Sequence, residues 1–134
     1  MYGSFLLFCW TASRKKGWNG EINMVVIGVL LGGAAGAYLR YAFSLWFRGI
    51  AGTMFVNGIG SLVLGVFAAF ATKRGMNISP TLTVGFCGAF TTFSTFSLEV
   101  IQLLENKRLT HALIYIIASV LGSIVMFSFG YIMI

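Results

Sequence analysis

Four apolar runs, each close to the length that crosses a bilayer, follow one another from Met24 to the C-terminal Ile134. They cover about 24–47, 52–71, 81–104 and 111–134. Roughly 20 apolar residues in a helix span the hydrocarbon layer. The runs are continuous rather than alternating, which argues against spanning strands. The connections, 48–51, 72–80 and 105–110, are short, so neighbouring helices run antiparallel. The expectation is an all-α membrane protein with four transmembrane helices in one domain, 24–134. Pro80, the only proline, stands just ahead of the third run, where it suits a helix start.

Composition agrees. Of 134 residues 58% are hydrophobic and 9% charged, whereas a soluble domain carries about a quarter charged residues. A chain this short has too much surface to hide so many apolar side chains in an aqueous core. The net charge of +6 does not mark a nucleic-acid partner. Its basic residues are scattered as Arg14, Lys15 and Lys16, Arg40, Arg48, Lys73 and Arg74, and Lys107 and Arg108. Most lie between apolar runs, as basic loops at a membrane surface do. Cys9 and Cys87 are far apart and have no metal-ligand or disulfide spacing. His111 reads as an interfacial residue. No nucleophile–base pair, paired carboxylates or phosphate loop is present, so an enzyme is not expected.

Residues 1–23 stand apart as a leader of uncertain role. Their apolar stretch precedes the basic cluster Arg14–Lys16, the reverse of a secretory signal. Leu6 to Cys9 only faintly resembles a lipoprotein cleavage site. With four spans, the 72–80 loop and both termini share one side. From Met24 on, Lys73 and Arg74 oppose Arg48, Lys107 and Arg108. That balance sets no strong orientation, so the chain is able to insert both ways and pair antiparallel. Counting the leader reverses the bias.

Polar groups inside the runs need a partner, a cavity or a function. Asn57 shares a helix face with Thr53 and is either interhelical glue or a donor to an anion. The third run holds GFCGAFTTFSTF, Gly85 to Phe96. Its glycines and threonines favour a helix broken at mid-membrane, which frees carbonyl oxygens suited to a cation. Phe93 and Phe96 share a face among Thr92, Ser94, Thr95 and Ser97, and Glu99 continues that face toward the membrane edge. Tyr115, Ser119 and Ser123 recur every four residues as a hydroxyl stripe, either glue or a polar track. Arg40 either attracts anions at a vestibule or snorkels to headgroups. Gly28, Gly32 and Gly36, with Ser61 and Gly65, sit at helix-packing spacing.

At these residues the sequence closely resembles the CrcB/Fluc fluoride channel family. The resemblance covers about 24–134 and rests on GFCGAFTTFSTF with Glu99, on Gly52-Thr53 leading to Asn57 and Gly58, and on GGAAGAYLRY, Gly32 to Tyr41. Ala89 stands where many members have glycine, and the leader is a departure. The resemblance implies a dual-topology antiparallel homodimer with two pores and a structural sodium ion at its centre. Backbone carbonyls of Gly88 and Thr91 would hold the sodium. Phe93 and Phe96 would line the ion path, with Asn57, Thr95, Tyr115, Ser119 and Ser123 as polar pore groups. Arg40 and Glu99 would sit at a vestibule. The implied task is passive export of fluoride across the plasma membrane.

Competing readings are a proton-coupled multidrug exporter, a transport-silent structural subunit, and one half of a heterodimer with a paralogue. The exporter needs a deep carboxylate, and Glu99 is the only acid within a run.

Overall fold

The computed structural model describes residues 21–134, with side chains from residue 23 onward. The leader, its basic cluster and Cys9 lie outside the described residues. Helix α1 covers Glu21–Trp46 and α2 covers Ile50–Lys73. The third span has two parts. The first, α3, comprises residues 81–90, a π-helical stretch Thr81–Cys87 closed by an α-helical turn Gly88–Phe90. The second, α4, is Phe93–Glu105. Helix α5 covers Leu109–Ile132.

Among the described residues, four helical segments are long and apolar enough to cross a membrane: Asn23–Trp46, Ile50–Lys73, Thr81–Glu105 and Leu109–Ile132. The protein is thus an all-helical, multi-pass membrane protein. Its outer faces carry Leu30, Leu31, Ile117 and Val125, all exposed, as expected where lipid rather than water is the solvent. The last span begins two residues ahead of the position that hydropathy suggests. Thr110 and His111 occupy its first turn, since polar residues are well placed at the interface.

The turn before α5 explains that start. The N–H of Lys107 reaches Leu104 O and that of Arg108 reaches Leu103 O, both at 2.9 Å. These two bonds form a Schellman closure of α4, which needs a left-handed residue at Lys107. Lys107 supplies it at φ 58° despite its Cβ. Replacing Lys107 with glycine should therefore stabilise the fold by about 1 kcal/mol, the strain of a side chain in that region. Thermal unfolding of the detergent-solubilised variant reads it.

Helices pack as two tight pairs. Along α1, Gly32 and Gly36 face α3, and a Cβ on Gly36 would strike the Phe86 carbonyl. Across the bundle, Gly65 of α2 lies against the Phe127 main chain of α5. Lipid tails are as apolar as leucine, so close backbone approach and the dispersion it gains drive such packing. At the far end of this pair, Lys73 Nζ donates to Tyr131 O at 2.9 Å and lies 4.9 Å from that ring's centroid.

Candidate functional site

Polar chemistry gathers where α3 gives way to α4. Thr91 (φ −76°, ψ 157°) and Thr92 (φ −145°, ψ 117°) have extended backbone. Two extended residues disrupt the i to i−4 ladder, and the groups this releases must find partners in a site away from water. Several are visible. The Thr91 N–H still makes its helical bond to Cys87 O at 3.1 Å, and its hydroxyl shares that acceptor at 3.0 Å. Arg40 Nε, from α1, donates to Ala89 O at 3.1 Å. From α2, Asn57 Nδ2 donates to Thr92 O at 3.0 Å while its Oδ1 accepts the Thr92 N–H at 2.7 Å. The Thr92 hydroxyl caps α4 by accepting the Thr95 N–H at 3.2 Å.

The Thr92 N–H would bond Gly88 O in a continuing helix. It bonds Asn57 instead, which leaves the Gly88 carbonyl available to another partner. Gly88 is exposed and borders a cavity of about 300 Å³ that also touches Thr91, Asn57, Phe93 and Ser123. A second cavity of about 270 Å³ is lined by Arg40, Thr53, Thr95 and Glu99. Thr92 borders both cavities.

An aromatic and hydroxyl chain joins the two regions. The Phe93 and Phe96 centroids are 5.5 Å apart, and those of Phe96 and Tyr115 5.2 Å. The Tyr115 hydroxyl donates to Glu99 Oε2 at 2.6 Å, and the Thr53 hydroxyl to Oε1 at 2.9 Å. Glu99 is only 9% exposed, so these two donors replace much of the water its carboxylate would have held. One helical turn beyond Tyr115, the Ser119 hydroxyl is buried with no hydrogen-bond partner among the described residues. Phe93, by contrast, is 77% exposed.

The chain as a whole is similar to known proteins. A profile described as CrcB-like protein, Camphor Resistance (CrcB), matches residues 27–131. The chain belongs to the CrcB family. Among its curated relatives, the fluoride-specific ion channel FluC of Trichormus variabilis is 41% identical over 117 residues, which is 80% of this chain and 85% of that protein. The fluoride-specific ion channel FluC 2 of Bacillus subtilis is 43% identical over 103 residues, 72% of this chain and 77% of its own. The FluC of Erwinia tasmaniensis is 38% identical over 114 residues, 79% and 91% of the two chains. The CrcB family is thus one of ion channels and not of enzymes.

Within this CrcB-family chain, the residues singled out from sequence fall into three groups. Arg40, Thr95 and Glu99 border one cavity. Asn57, Gly88, Thr91, Phe93 and Ser123 border the other. Phe96 and Tyr115 connect them, and Ser119 lies beyond Tyr115 on α5. Glu99 is a buried acceptor of two hydrogen bonds. Sequence reasoning missed Thr53 as its partner, Thr92 as the residue between the cavities, and the Ala89 carbonyl as the group bonded by Arg40. For Thr53, the signal present was its four-residue spacing from Asn57.

Proposed function

We propose that this chain forms a passive fluoride-selective channel that lets toxic cytoplasmic fluoride out across the plasma membrane. The observation that carries the reading is the convergence of the intramembrane polar groups on residues 91–99. Packing glue would scatter them among helix interfaces. The names of the relatives supply the ion.

Fluoride is small and strongly hydrated, so a pore must replace its water with donors. Asn57 offers N–H, Thr95 and Ser119 offer O–H, and the rings of Phe93 and Phe96 offer positive edges. The unpartnered Ser119 hydroxyl is free to turn its proton toward an anion. Arg40 raises the local concentration of anions at the mouth of its cavity. Several moderate donors in series also suit conduction, since an ion must leave each site as easily as it arrives.

The channel is proposed to work as an antiparallel dimer, with the third span broken at mid-membrane. The exposed ring of Phe93 supports a second copy completing each path. Sodium fits the site in donor chemistry. The Gly88 and Thr91 carbonyls are hard oxygen ligands beside a cavity, and hard cations take several oxygens at once, so two copies would each contribute a pair. When bound, the ion supplies a fixed positive charge that favours a nearby anion.

The test is efflux from liposomes holding the purified protein, read with a fluoride electrode and with chloride as the control. Fast fluoride efflux with little chloride leak is expected. Silence from folded protein would remove the homodimeric reading, and recovery with a co-reconstituted paralogue would establish the heterodimer in its place. Phe93→Ile and Phe96→Ile each remove a polarised ring edge while keeping bulk, and each should slow fluoride efflux at least about tenfold. Undiminished efflux in both would remove the aromatic path.

A further inference from the structure

The geometry around Asn57 carries a statement about selectivity that goes beyond its use as a donor. A side-chain amide has one acceptor oxygen and two N–H donors. Turned over, it shows a cavity the opposite polarity. Thr92 is extended, at φ −145° and ψ 117°. An extended residue points its own N–H and C=O to the same side, which is how paired strands exchange both bonds through one residue. A helical residue sends them in opposite directions along the axis. Here both groups of Thr92 meet one amide, with Asn57 Oδ1 accepting at 2.7 Å and Nδ2 donating at 3.0 Å.

Only one amide orientation makes both bonds. The flipped amide would set NH₂ against N–H and oxygen against oxygen. It would lose two hydrogen bonds and gain two repulsive contacts in a partly buried site, where such losses weigh most. One Nδ2 hydrogen goes to Thr92 O. The other remains, on a side chain that borders the cavity shared with Gly88, Phe93 and Ser123.

We infer that the Thr92 main chain is a positioning element that fixes the polarity of the Asn57 amide, so that Asn57 shows the cavity an N–H and never its carbonyl oxygen. An unconstrained amide would turn its oxygen to the path for part of the time and repel an anion there. The value of the lock to the protein rests on the fluoride-channel reading, but the lock itself has its own readout. In this lock Thr92 acts through Asn57, so its role there is positioning.

The test uses full-length protein in lipid nanodiscs with ¹⁵N-labelled asparagine, the Asn57 signals being assigned by their loss in N57S. The two Nδ2 protons of Asn57 should exchange with deuterium at rates differing at least about tenfold, one being bonded to Thr92 O. Added sodium fluoride should move the faster proton's resonance, and sodium chloride should not. Equal rates, or a fluoride response on the slower proton, would overturn the inference. A backbone ester at residue 92, introduced with the α-hydroxy analogue of threonine, deletes the N–H that keys Oδ1. In that variant the two rates should converge, and the ratio of fluoride to chloride efflux should fall at least about tenfold. An unchanged rate difference in the ester variant would also overturn it. If wild-type protein conducts no fluoride, alone or with a paralogue, the channel reading falls, and the exchange rates still decide the lock.

Discussion

Gly65→Ala should cost the fold about 3 kcal/mol, the upper end for overpacking a well-filled interior. The added methyl would land on the Phe127 carbonyl oxygen, with the Phe127 carbonyl carbon at 3.0 Å and Cα at 3.1 Å. These are main-chain atoms of a helix and have no rotamer to change. The only relief is for α2 and α5 to move apart, which forfeits dispersion along the seam. That seam also carries Gly130, whose own Cβ would meet the Leu62 carbonyl. Gly122→Ala is the matched comparison, because nothing lies within 4 Å of its missing Cβ. There the gain in helix propensity, about 1 kcal/mol, should stand alone. Thermal unfolding in detergent, with elution profiles before and after heating, separates the two. Equal behaviour of the two variants would show that close approach is not what holds α2 to α5.

Glu99→Ala should be the most damaging substitution among the polar groups. It removes the acceptor of two hydrogen bonds and leaves the Thr53 and Tyr115 hydroxyls enclosed without it. Each stranded group costs about 1–3 kcal/mol, so a loss of about 2–6 kcal/mol is expected, together with loss of fluoride flux. Glu99→Gln keeps the shape and one acceptor oxygen, and the hydroxyl facing its NH₂ can turn to accept. It should lose roughly half as much. The mechanism predicts a further result. Adding Thr53→Val and Tyr115→Phe to Glu99→Ala should recover much of the stability without recovering flux, because the stranded donors are gone but so is the polar path. Additive losses across the three substitutions would refute the coupling.

The four spans were legible because length and apolarity alone decide whether a helix fits a bilayer. The seam glycines of α1 and Gly65 were legible for a related reason, since one-helix spacing reports one face. What spacing does not report is the partner. Glu99 lies 46 residues from Thr53 and 16 from Tyr115, so its burial depends on α2 and α5 closing over α4. Read on its own helix, it showed only the face it shares with Thr95 and Phe96. Arg40 had two readings from sequence, attraction of anions or snorkelling. Its bond to Ala89 O spans 49 residues and is invisible to any local pattern. Asn57 likewise stood evenly between glue and donor. Its two bonds to Thr92 give it a structural task and still leave one N–H unspent. The Gly- and Thr-rich composition of 85–96 was itself readable. Which carbonyls lose their helical donors was not, because that turns on the dihedral angles of two residues.

The order of the chain has a consequence for biosynthesis. An irregular peptide segment is stable inside a bilayer only when protein, not lipid, surrounds it. The side chains that receive the peptides near Thr92 are Arg40 and Asn57, both upstream of it. A ribosome therefore delivers α1 and α2 to the membrane before the segment that depends on them. When residues 88–93 leave the insertion machinery, the helices that carry the guanidinium and the amide have already been delivered. The segment most hostile to lipid never has to be alone in it, and the polarity key at Thr92 can close as soon as its own residue arrives.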